Sequence, residues 1–98
     1  MNIPVKVTQE AEADLKSARV WYESQQPGLG TDFRDKIEEL LVRIEDSPRQ
    51  FAAEYDDVRM AVPEKYPYVV YFRIMKRFIQ VFAIHHGRRD PAAWKSRL

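Results

Sequence analysis

The sequence predicts an α+β fold: a short N-terminal strand, two helices joined as a hairpin, then strands closed by a short C-terminal helical turn. Three observations predict it. Apolar residues recur at helical spacing between Ala11 and Ile44. After Pro48 the period changes to two, and β-branched and aromatic residues concentrate in Tyr68–Ile74 and Phe78–His86. Pro27-Gly28 and Ser47-Pro48 fall between the periodic segments, where they interrupt helices. Ninety-eight residues are enough for one domain, assigned to residues 1–98.

Pro4–Gln9 sets Val5 and Val7 against Lys6 and Thr8, the alternation of a strand with one buried face. Thr8 is placed to cap a helix beginning near Glu10, with Glu10, Glu12 and Asp14 near the positive end of its dipole. Ala11, Leu15, Ala18 and Tyr22 share one face of that helix, and Trp21 lies beside them. Gln25-Gln26-Pro27-Gly28 ends it. Phe33, Ile37, Leu40, Leu41 and Ile44 form the apolar stripe of the second helix. Arg34, Asp35, Glu38, Glu39, Glu45 and Asp46 form its solvated side. Val58, Met60 and Val62 then alternate with Arg59 and Ala61. If the hairpin covers the face carrying Val58, Met60 and Val62, Arg59 projects from the uncovered one. Tyr71 and Arg73 share a strand face. Strict alternation groups His86 with Phe82 and Ile84, and His85 with Val81 and Ala83. Met75-Lys76-Arg77 is the expected hairpin turn. Asp90 is the expected cap and Pro91 the first residue of the closing helical turn.

Composition excludes several classes of function. The chain is 45% hydrophobic, 32% charged and 12% aromatic, as in an ordinary soluble globular protein. The absence of cysteine excludes disulfides, zinc–thiolate sites and thiol nucleophiles. Met1–Gln9 has no signal-peptide pattern, and Phe78–Ile84 is too short to span a membrane. The expected compartment is the cytoplasm, without a membrane partner. No glycine-rich phosphate loop follows a strand, and no G-x-S-x-G occurs. His85 and His86 point to opposite faces of a strand, which makes them poor joint ligands with Asp90. No metal and no cofactor is expected.

The formal charge of +1 conceals a division. Residues 1–57 carry 7 Lys/Arg against 13 Asp/Glu, net −6, and residues 58–98 carry 9 against 2, net +7. Such asymmetry suggests a surface facing a polyanion or an acidic partner, or else pairing between the halves. The densest polar cluster is His85-His86-Gly87-Arg88-Arg89-Asp90. Metal-free RNA cleavage needs a base for the 2′-hydroxyl, an acid for the leaving oxygen and cations around the phosphate. His86 suits proton transfer, and Arg59 with Arg88 or Arg89 suits phosphate, because guanidinium binds two oxygens and stays charged. The plainer reading is a strand end whose arginines pair with the acidic helices. Tyr66, Tyr68 and Tyr71 offer stacking surfaces for bases or, more simply, pack the sheet. Trp21, Tyr22 and Trp94 read as core or interface anchors. Lys65, Lys76 and Arg77 read as solubility charges near turns.

These residues resemble the RelE/ParE toxin superfamily, most nearly its plasmid-stabilisation branch. The resemblance rests on Trp21-Tyr22-Glu23 followed by Gln26-Pro27-Gly28-Leu29-Gly30, on Phe33, and on Arg59 before Tyr66-Pro67-Tyr68-Val69-Val70-Tyr71. It closes with His86-Gly87-Arg88-Arg89-Asp90-Pro91 and Trp94. It implies a helical hairpin on one face of a mostly antiparallel sheet. It also implies the toxin half of a type II toxin–antitoxin pair, neutralised by a cognate antitoxin and reaching operator DNA only through it. Two activities occur in the superfamily: RelE-like cleavage of mRNA on the ribosome, and ParE-like inhibition of DNA gyrase. Arg59, His86 and Arg89 are the catalytic candidates under the first. Arg59, Arg73, Arg88 and Arg89 are the target- or phosphate-binding candidates. The late tyrosine of RelE-like nucleases is missing, and Tyr55, Asp56 and Asp57 stand where a lysine pair would precede Arg59. Acidic groups there repel a phosphate backbone. The expectation is therefore a growth-arresting gyrase inhibitor, with an mRNA endonuclease and a non-toxic antitoxin-binding member as alternatives.

Overall fold

The computed structural model describes residues 3–98. Strand β1 (Val5–Val7) leads into helix α1 (Gln9–Gln25), and helix α2 (Leu29–Asp46) returns beside it. A 3₁₀ turn (Pro48–Gln50) leads to β2 (Ala53–Tyr55), β3 (Val58–Ala61), β4 (Tyr68–Ile74) and β5 (Ile79–His86), and α3 (Ala92–Lys95) closes the chain. The sheet order is β1-β5-β4-β3-β2. Only β1, beside β5, is parallel to its neighbour.

Local chemistry explains the hairpin. Thr8 caps α1 as expected, its Oγ1 accepting from the Ala11 N–H at 3.1 Å. Gly28 takes φ +90° between the helices, a left-handed conformation that suits glycine. The N-terminus of α2 is capped from α1: the Glu23 carboxylate accepts from the N–H groups of Gly28 (2.9 Å) and Gly30 (3.0 Å). Those two bonds hold the Glu23 carboxyl below its usual range. A Cβ on Gly30 would lie 2.5 Å from the Arg19 carbonyl oxygen, so glycine there sets how closely the helices approach.

The sheet has a core on each face. Ala11, Ala18, Phe33, Ile37, Leu40 and Ile44 from the hairpin pack on Ala61, Val70, Phe72, Ile79, Val81 and Ile84. On the other face Val58, Tyr71, Phe82 and Ala83 gather under Trp94, whose ring stacks on Tyr71 at 4.7 Å.

Four details of the expected arrangement are corrected. The hairpin covers the face of Ala61, not that of Val58 and Met60. Arg59, opposite Phe72, thus lies on the helix side, where its Nη1 donates to the Phe51 carbonyl. Val62 falls outside β3 and is exposed. Strict alternation fails in β5 because Tyr71 pairs with Ala83 and Phe72 with Val81, leaving Phe82 bulged. Val81 and Ile84 therefore share the helix-side core while Phe82 and Ala83 share the other. Glu45 is not simply solvated either: its Oε1 accepts from the Val5 N–H at 2.8 Å across β1.

Candidate functional site

The far end of β5 is completed by side chains rather than by a strand. Its pairing with β1 stops near Val81, where Thr8 N–H donates to the Val81 carbonyl at 2.9 Å and the chain turns into α1. Backbone groups further along need other partners. Asp14 Oδ2 accepts from the Ile84 N–H at 3.0 Å, and Arg97 Nη1 donates to the Phe82 carbonyl at 3.0 Å. Arg97 also grips Asp14 at two points, 2.6 and 3.0 Å, which raises the guanidinium pKa further.

His85 lies against this seal, only 1% exposed. Its Nε2 is 3.3 Å from Asp14 Oδ2, but neither ring nitrogen makes a hydrogen bond among the described residues. Burial pushes the His85 pKa down. Asp14 opposes that shift, and Arg89 and Arg97 reinforce it. His86 is half-buried, its ring 5.4 Å from that of Tyr68. Its Nδ1 accepts from the Arg88 backbone N–H at 3.0 Å. The tautomer this bond selects carries its proton on Nε2, so the ring offers a donor there. Arg89 N–H returns to the His86 carbonyl at 3.0 Å, which tightens the turn.

Between α1 and this strand end lies a cleft of about 340 Å³, with Ser17 and Trp21 on one wall and Tyr68, His86 and Arg89 on the other. Burial raises the Tyr68 pKa, and the nearby Arg89 charge works against that rise. Arg88 and Arg89 are exposed, and no ion pair among the described residues engages either.

The candidate residues fall into two places. His86, Arg88 and Arg89 occupy the end of β5 and the turn after it. Arg59 lies opposite Phe72, four residues along β4 from Tyr68, the partner of His86, or about 13 Å at strand spacing. Arg73 is further toward that same end, opposite Gln80, with its Nε bonded to Asp57 Oδ2 at 3.2 Å. Tyr66 belongs to an aromatic cluster with Tyr22, Phe33 and Tyr68, and its hydroxyl donates to Asp32 at 2.6 Å. Among the described residues no cluster of three His, Asp or Glu side chains is placed to hold a metal, and no helix is long and apolar enough to cross a membrane.

Asp14, Arg97 and the burial of His85 escaped the sequence reading. One signal was present: Asp14 falls on the stripe of Ala11, Leu15 and Ala18, a carboxylate at a core-facing position.

Comparisons with known proteins bear on the family and the fold. A family model described as the ParE toxin of a type II toxin–antitoxin system, parDE, matches residues 5–91. Among solved structures the chain is similar to one described as the chromosomal ParDE TA system from P. aeruginosa. The TM-score is 0.77 at 25% identity, covering 86% of this chain and 95% of that one. No curated protein sequence matches.

Proposed function

The chain belongs to the ParE toxin family of type II toxin–antitoxin systems, and from that premise we propose that it arrests growth as a ParE-like inhibitor of DNA gyrase. A cognate antitoxin holds it inactive, and operator DNA is reached only through that antitoxin. The net −6 of residues 1–57, which contain both long helices, disfavours direct contact between the hairpin and a nucleic-acid backbone.

The observation that favours inhibition by binding over RNA cleavage is the separation of Arg59 from His86 and Arg89. Phosphoryl transfer requires cations and a proton acceptor around one phosphorus. Arg59 is on β3, two strands from His86 and about 13 Å from it in the strand direction, and its Nη1 is bonded to the Phe51 carbonyl. The His86 lone pair on Nδ1 is engaged by the Arg88 N–H, and the protonated Nε2 is no base. What remains suits recognition: exposed cations at a strand end beside exposed aromatic surface on α1.

Reconstituted gyrase supercoiling is the test. Purified chain in excess should inhibit it, and the antitoxin encoded beside the gene should restore it. Unaffected supercoiling, with new 5′ ends inside translated codons that vanish in His86→Ala, would replace this reading with a ribosome-dependent endonuclease. Induction without growth arrest would leave only antitoxin binding.

A further inference from the structure

The cleft between α1 and the ends of β4 and β5 is unbalanced in its hydrogen bonding. Beneath it sits His85, 1% exposed, with both ring nitrogens unpartnered among the described residues. Buried polar groups seldom stay unpaired, because each such group forfeits its hydration without compensation. Asp14 Oδ2 is 3.3 Å from His85 Nε2 but makes no hydrogen bond to it, and the same oxygen already accepts from Ile84 N–H and Arg97 Nη1. The opposite wall presents donors: the Arg89 guanidinium, unpaired among the described residues, and the Nε2–H of His86. The lip on α1 is apolar, with Val20 53% and Trp21 56% exposed, and Lys16 stands at its edge.

We propose that this cleft is a docking site for a carboxylate side chain of a partner polypeptide, with a neighbouring apolar side chain of the same partner lying across Val20 and Trp21. The inference rests on the reading of the chain as one half of a protein pair and says where that partner is gripped. Two arguments select a carboxylate over a nucleic-acid phosphate. A planar carboxylate brings two acceptors to the donors of the opposite wall, Arg89 and the Nε2–H of His86, and it suits the guanidinium fork of Arg89. A phosphate backbone extends in both directions, whereas α1 carries Glu10, Glu12, Asp14 and Glu23 against Lys16 and Arg19, a net −2. One isolated carboxylate meets the cation without crossing that acidic helix.

The test is an NMR titration of the intact chain, read on the Trp21 indole N–H and the ring signals of His85 and His86. The probes are hexanoate, its neutral analogue hexanamide, and octauridylate. Hexanoate should shift all three residues saturably and bind about tenfold more tightly than hexanamide, the value of one charge-assisted contact. Arg89→Ala, at an exposed position whose only described hydrogen bond is from its backbone, should erase that preference, and Trp21→Ala should weaken both six-carbon probes. Equal binding of hexanoate and hexanamide, or no shift with either, overturns the proposal. Octauridylate that displaces hexanoate with steep salt dependence also overturns it, in favour of a nucleic-acid surface. The titration reads the same whether or not the chain inhibits gyrase, so the two readings fail separately.

Discussion

Arg97 reaches back across 83 residues to hold Asp14 at two points, 2.6 and 3.0 Å, and with its Nη1 also bonds the Phe82 carbonyl. One guanidinium thereby ties the last residues of the chain to the first helix and to the unpaired edge of β5. The side chains are only 15% and 11% exposed. Removing one partner strands a charge in a poorly hydrated place. Arg97→Ala should lower stability by about 3 kcal/mol, read as a fall in the urea midpoint at unchanged slope. Arg97→Lys should recover part of this, because a point charge replaces the fork. If Arg97→Ala unfolds at the wild-type midpoint, the pair contributes nothing.

The two hairpin glycines fail for different reasons. Gly30→Ala forces a methyl group to 2.5 Å from the Arg19 carbonyl oxygen and 2.9 Å from Glu23 Cβ, so α1 and α2 must separate. Overpacking of this kind costs about 1–3 kcal/mol. Gly28→Ala meets open space, and its cost is that of φ +90°, about 1 kcal/mol. Thermal unfolding of both variants should place Gly30→Ala lower. The reverse order would show that backbone conformation, not helix approach, limits the hairpin.

These positions also mark what a sequence discloses. The helices, the Thr8 cap, the Pro-Gly break and the last two strands follow from periodicity and turn chemistry, which act over a few residues. β2 lies in Ala53–Tyr55, all exposed and without alternation, so no periodic signal announces it. The bulge at Phe82 reassigns faces along β5, and alternation cannot foresee an inserted residue. The face of Arg59 depended on which side the hairpin covers, a tertiary choice. In the cleft, His86 and Arg89 were legible as a dense polar motif. The Asp14–Arg97 seal spans nearly the whole chain, and the burial of His85 follows from that closure.

Tyr66 fastens the loop before β4 to α2 through Asp32, its hydroxyl 2.6 Å from Oδ2. Burial, with the bond to Asp32 adding to it, pushes the Tyr66 pKa up to about 12. Between the unfolded value near 10 and that raised value, the unfolded chain has lost the proton and the folded chain keeps it. The contribution is therefore complete below about pH 10 and disappears as pH rises toward 12. Near-UV absorbance should show a late tyrosine step as pH rises toward 12, and Tyr66→Phe should remove that step. The substitution also loses a hydrogen bond to a carboxylate, costing about 1–2 kcal/mol at neutral pH. A late step that survives in Tyr66→Phe would assign it elsewhere.

His85 gives the opposite dependence, in a different pH range. The charged groups facing it are Asp14 from α1, Arg97 beyond α3 and Arg89 after β5. Burial lowers its pKa from the usual 6.5; Asp14 opposes that shift, and Arg89 and Arg97 add to it. Below 6.5 the unfolded chain takes up a proton that the folded chain refuses until lower pH. The stability associated with neutral His85 is thus complete above about pH 6.5 and is lost as pH falls through the depressed value. His85→Phe keeps a ring of similar shape and removes both unpartnered nitrogens. At pH 7 it should match the wild type within about 1 kcal/mol or exceed it, because an unsatisfied polar group gives way to an apolar one. Urea midpoints at pH 7 and pH 5 should converge in the variant and differ in the wild type. An equally steep decline in both proteins would place the titrating group elsewhere.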